Sequence, residues 1–109
     1  MQTKAYEVRY DRRLGIDRPF LHVDYEELSQ AEREEFELIC QEICSKIPDQ
    51  IKAWEKEYTT RYEALKEADE EEAFYQLTDE LNEISSRICD LNLLFLYIEG
   101  TYISQSIHA

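Results

Sequence analysis

Three cysteines and two histidines are the side chains of this 109-residue chain best suited to metal or nucleophile chemistry, and their spacing favours neither. Cys40 and Cys44 stand four residues apart, so on a helix they share one face and supply half of a thiolate metal site. Cys89 lies far along the chain. His22 and His108 belong to no Cys/His cluster with zinc spacing. An activated nucleophile needs a base within hydrogen-bond reach, and spacing places neither histidine beside a serine or cysteine. The expectation is three reduced thiols, packed as small apolar groups, with no metal, no cofactor and no catalytic residue.

The carboxylates are more numerous. Asp69-Glu70-Glu71-Glu72 lacks the alternating oxygen ligands and the glycine of a calcium loop, and reads as the acidic start of a helix with Asp69 as N-cap. No Glu-x-x-His pair of the di-iron type is present. Glu80-x-x-Glu83 is similar to the magnesium-binding helix carboxylates of all-α NTP pyrophosphohydrolases. Helical phase separates these two, with Glu80 beside the apolar seam and Glu83 toward solvent. A magnesium-dependent nucleotide hydrolase is therefore the second alternative only. Trp54 is followed by Glu55-Lys56, which departs from the Trp-x-Gly turn of the WXG-type helical hairpins, and Tyr75-x-x-x-Asp79 lies inside a helical pattern.

The elements that must carry these residues are mainly helical. Two glycines and two prolines cannot supply the turns of a β-sandwich or barrel, and Gly15 and Gly100 are too far apart for a phosphate-binding loop. Residues 4–10 alternate, with Tyr6, Val8 and Tyr10 on one side and Glu7, Arg9 and Asp11 on the other, as in a strand. Turn residues Gly15, Asp17 and Pro19 follow, then the apolar segment Phe20 to Val23. An extended arm or β-hairpin is expected over residues 1–23, packed on a helical bundle over 24–109 within one domain.

Two capping boxes, Asp24 with Glu27 and Ser29 with Glu32, announce the bundle. Helices are expected at about 29–46, 48–68 and 70–99, in an up-down-up three-helix bundle. Pro48 marks the first junction, because it has no amide to donate and restricts Ile47. The stripe Ile39, Ile43, Ile47, Ile51 and Trp54 nevertheless stays in helical phase across it, which leaves one kinked helix as the alternative. In the last helix Phe74, Leu77, Leu81, Ile84, Ile88, Leu91, Phe95, Ile98 and Tyr102 form a heptad seam, widened by Leu94. Gly100 ends this helix or permits a last turn through Ile103 and Ile107.

Opposite the seam, Cys89, Leu93, Leu96 and Tyr97 make a second apolar stripe. A helix apolar on both sides must be covered on both. Three lids are open to this stripe: the arm, a second copy of the chain, or a foreign protein.

The formal net charge of −13 disfavours direct binding to nucleic acid or anionic membrane. It is uneven, with residues 1–23 at +2 and residues 24–109 at −15. An acidic DNA mimic is the alternative function, though duplex DNA of about 40 Å carries roughly 24 phosphates, far denser than this helical body. With neither an export signal nor a membrane-length apolar run in the sequence, the expected setting is the cytoplasm. The expected function is non-catalytic: protein–protein interaction or regulation, with a homodimer as one form. Cys89, Leu93, Leu96 and Tyr97 are the candidate surface.

Overall fold

The computed structural model describes residues 4–103. In chain order they form strands β1 (Tyr6–Asp11) and β2 (Ile16–Leu21), a 3₁₀ turn (Tyr25–Glu27), helices α1 (Gln30–Lys66) and α2 (Glu71–Ile98), and a π turn (Glu99–Ile103). The helices expected over 29–46 and 48–68 are one helix of 37 residues with Pro48 inside it. The three-helix bundle is thereby corrected to an antiparallel pair of long helices with an N-terminal β-hairpin as its third member.

Burial explains why the proline does not end α1. Ile43 and Ile47 are buried and Ile39, Ile51 and Trp54 pack beside them, so one unbroken apolar face crosses Pro48, which itself points to solvent. A proline in a helix interior costs about 3 kcal/mol, whereas each large apolar side chain contributes about 1.5–3 kcal/mol on full burial. A break would turn the second half of that face away from the core.

Helix ends are set locally. The Ser29 hydroxyl accepts from the Glu32 amide at 3.2 Å and the Glu32 carboxylate accepts from the Ser29 amide at 2.9 Å, the expected reciprocal box. Asp24 makes no such side-chain bond and precedes only the short 3₁₀ turn. At α2 the cap is Glu70 rather than Asp69, again without a side-chain bond, while Glu71 and Glu72 occupy the first turn, where the helix dipole favours acids. Gly100 does not end the helical path, which widens into the π turn and buries Tyr102. Ile107 and His108 lie outside the described residues.

From Leu81 onward the seam of α2 faces α1 as expected, with Leu81, Ile84, Leu91, Leu94 and Ile98 buried, whereas Phe74 at its start is exposed. Arg61 of α1 meets Glu80 of α2 at 3.6 Å, and Arg87 of α2 lies 4.6 Å over the Trp54 ring, which fixes the antiparallel register. The hairpin pairs Tyr6 with Leu21 through Asp11 with Ile16. The second strand starts earlier than Phe20 and runs through Pro19, which faces Val8. That pair falls between hydrogen-bonded pairs, so the proline nitrogen points to the outer edge and no ladder bond is lost.

Leu14, Ile16 and Leu28 enter a core with Phe36, Cys40, Ile43, Cys44 and Ile47 of α1 and Leu91, Leu94 and Ile98 of α2. Phe36 is its centre, 5.3 Å from the Tyr6 ring and 4.9 Å edge-on to Tyr102. Of the strand side that carries Tyr6, Val8 and Tyr10, only Tyr6 packs on the core, and Val8 and Tyr10 are exposed. The hairpin covers one end of a molecule 60 Å long. At the other end only two helices meet, and Tyr58, Tyr62, Phe74 and Tyr75 remain exposed. Among the described residues no helix is long and apolar enough to cross a membrane.

Replacing Pro48 with alanine restores an amide to an exposed helical position. Pro48→Ala raises stability in urea unfolding by about 1–3 kcal/mol; an unchanged or lower midpoint would show that α1 is adapted to its proline.

Candidate protein-docking groove

The hairpin is held by its turn. Arg12, Arg13, Leu14 and Gly15 connect the strands, and each of the last three is committed to a helix. Arg13 reaches α2, where it donates to Glu83 at 3.0 Å, Ser86 at 2.7 Å and Asp90 at 2.7 Å. These residues are spaced by helical turns, so one guanidinium fork spans them. The Asp90 and Glu83 carboxylates hold the guanidinium proton still more firmly than usual. The Leu14 side chain is buried, and its carbonyl accepts from Gln50 Nε2 at 2.9 Å and Trp54 Nε1 at 3.1 Å, both on α1.

Gly15 makes the approach possible. Its φ is +75°, and a Cβ there would lie 2.4 Å from Gln50 Nε2. Asp11 closes the turn by accepting from the Leu14 amide at 2.9 Å and from Arg18 at 3.3 Å. Burial alone would raise its pKa, but these donors outweigh burial and hold the carboxyl below the usual aspartate range.

Docked in this way, β2 stands beside α2 without closing on it. A groove of about 540 Å³ lies between them. Its floor and walls include Phe20 and Leu21 from β2 and Leu94, Ile98 and Tyr102 from the core, while Arg13, Arg18 and Asp90 stand among the lining residues. Leu93 and Tyr97 form the α2 wall, so the groove runs directly into the candidate stripe. On that stripe Leu93 is 58%, Leu96 65% and Tyr97 57% exposed, and Cys89 is exposed too. The arm therefore borders the stripe and leaves it uncovered, so of the three lids open to the stripe the arm is not the one that closes it.

The residues singled out for chemistry are dispersed. Glu80 pairs with Arg61, whereas Glu83 takes Arg13 at 3.0 Å and Arg87 at 3.3 Å instead of facing bare solvent. His22 lies 3.3 Å from Glu7 on the hairpin. Among the described residues no three His, Cys, Asp or Glu side chains gather as a metal site. Cys40 and Cys44 are buried with their thiols pushed up by burial to about 12 and about 11, which disfavours the reactive thiolate. Cys89 departs from the expectation of a packed thiol.

Sequence reasoning missed the contribution of Arg13 to this surface. The available signal was a basic pair, Arg12-Arg13, separated only by Leu14 from the glycine of a turn in an otherwise acidic chain.

Gly15→Ala combines left-handed backbone strain with a collision against Gln50, and lowers stability by about 1–3 kcal/mol in urea unfolding. Thiol titration with a disulfide reagent labels Cys89 rapidly, while Cys40 and Cys44 react only after denaturant is added. Rapid labelling of all three would contradict the packing around α1. No family model, curated protein or solved structure matches this chain, so its functional reading rests on the geometry of the groove and stripe.

Proposed function

We propose that this protein acts without catalysis, as a small acidic module that binds another protein through the groove and the stripe Cys89, Leu93, Leu96 and Tyr97. The observation that supports this reading is the continuity of the two: three large apolar side chains more than half exposed, beside a groove whose lining mixes Phe20, Leu21, Leu94 and Ile98 with the charged Arg13, Arg18 and Asp90. A contiguous exposed apolar surface rimmed by polar residues is the usual form of a protein-binding patch. Leu93 and Tyr97 lie one helical turn apart with Leu96 beside them, which suits the apolar face of an amphipathic partner helix. With 12 basic against 25 acidic residues in the chain, the fitting partner helix is basic on its outer flanks. The three free cysteines support a reducing setting, the cytoplasm.

Affinity capture with cross-linking tests the proposal. Wild type and Leu38→Glu, which alters an exposed leucine outside the groove, recover the same partner protein. Leu93→Glu and Tyr97→Glu lose it, since each anchor is worth about 1.5–3 kcal/mol, a ten- to hundredfold change in affinity. Equal recovery by all four would remove the groove from the function.

A further inference from the structure

The exposed edge of β1 carries a second surface, independent of the groove. The two-stranded sheet has two edges, and they differ. On β2 the outward-facing backbone at Pro19 has no N–H to offer, and α2 stands alongside across the groove. On β1 the pairing with β2 uses the backbone groups of Glu7, Arg9 and Asp11, so those of Tyr6, Val8 and Tyr10 point away from the sheet. Among the described residues no other element takes those outward groups. The side chains there are left open as well, with Val8 42% and Tyr10 63% exposed. A regular open edge is a template for another strand, and β1 has no proline or bulge to blunt it, only the oppositely charged Glu7 and Arg9.

What the edge recruits is written in its order of residues, Tyr6-Glu7-Val8-Arg9-Tyr10. Around Val8 the segment reads the same in both directions except that the charge changes sign. We infer that β1 pairs with β1 of a second copy, antiparallel and centred on Val8, to make a four-stranded sheet across a two-fold axis. In that register Val8 faces its own copy and Tyr6 faces Tyr10 of the other chain. Glu7 faces Arg9 of the other chain twice over, by symmetry.

The outward backbone groups of Tyr6, Val8 and Tyr10 then meet their like, as ladder geometry demands. The neighbouring registers with the same backbone parity are centred on Glu7 or on Arg9, and each sets identical charges directly opposite one another. Charge thus selects one register from the three. Within each chain Glu7 already pairs with Arg9, so the joined sheet carries alternating signs across the axis.

The body of the protein leaves room for this. The helices lie against β2 and the turn, and β1 approaches α1 through the Tyr6 ring on Phe36. Tyr10, which is 63% exposed and borders a shallow pocket with Lys46, Asp49 and Gln50 of α1, comes to lie opposite Tyr6 of the second copy.

Light scattering on a size-exclusion column and sedimentation equilibrium test the pairing. Wild type gives about twice 13.1 kDa at micromolar to submillimolar concentration. Val8→Pro removes an outward N–H without touching the ladder to β2, and gives a monomer with unchanged helical circular dichroism. Glu7→Arg and Arg9→Glu each place like charges across the axis and weaken self-association about tenfold or more. Mixed in equal amounts, these two variants form a heterodimer, because every cross-strand pair is then opposite in sign. That mixture keeps the test decisive if the proline variant fails to fold. A monomeric wild type, a dimer indifferent to Val8→Pro and to both charge changes, or a dimer broken only by Leu93→Glu would each overturn the inference.

Discussion

The carbonyl oxygen of Leu14 is where the molecule is tied together. It takes two hydrogen bonds from α1, given by Gln50 and Trp54 one helical turn apart. The neighbouring Arg13 is bound at the same time to three residues of α2. A two-stranded hairpin is marginal in water and two helices alone bury only one side of each. Each part therefore depends on the joint that a single tight turn provides. The joint works because the buried carbonyl is fully used: a buried acceptor without donors would be costly, whereas one with two donors fixes both the depth and the angle of docking.

Much of this was legible in the chain. The strand alternation from Tyr6, the Ser29–Glu32 cap and the heptad from Leu77 to Tyr102 are local patterns, and local patterns survive folding. Pro48 shows where a local rule loses. Its own preference is to end a helix, but the run Ile39, Ile43, Ile47, Ile51 and Trp54 is a longer-range pattern with several buried groups behind it. The stripe of Leu93, Leu96 and Tyr97 was legible from helical phase, yet the groove beside it was not. The groove exists because β2 lies next to α2, and nothing near Phe20 in sequence reports that it will sit beside Leu93.

The same contrast explains the thiols. Cys40 and Cys44 fall on the buried face of α1 by helical phase, and burial keeps them protonated. Cys89 falls on the outer face of α2. Three residues of one type thus have two environments, set by their angle around a helix and not by what flanks them.

The hairpin thickens only one end of the molecule, and this divides the protein mechanically. Near Phe36 each helix is locked by neighbours on more than one side, so opening a backbone hydrogen bond there requires the core to come apart. Around Tyr58, Tyr62, Phe74 and Tyr75 the helices hold each other by a single seam, and opening is local, with a free energy well below that of global unfolding. The chain therefore behaves as a rigid head carrying a compliant two-helix stalk, tipped by the turn from Glu67 to Glu70 and the acidic first turn of α2. Force or a partner applied at the stalk can bend or splay its helices while the turn at Leu14 keeps the head intact.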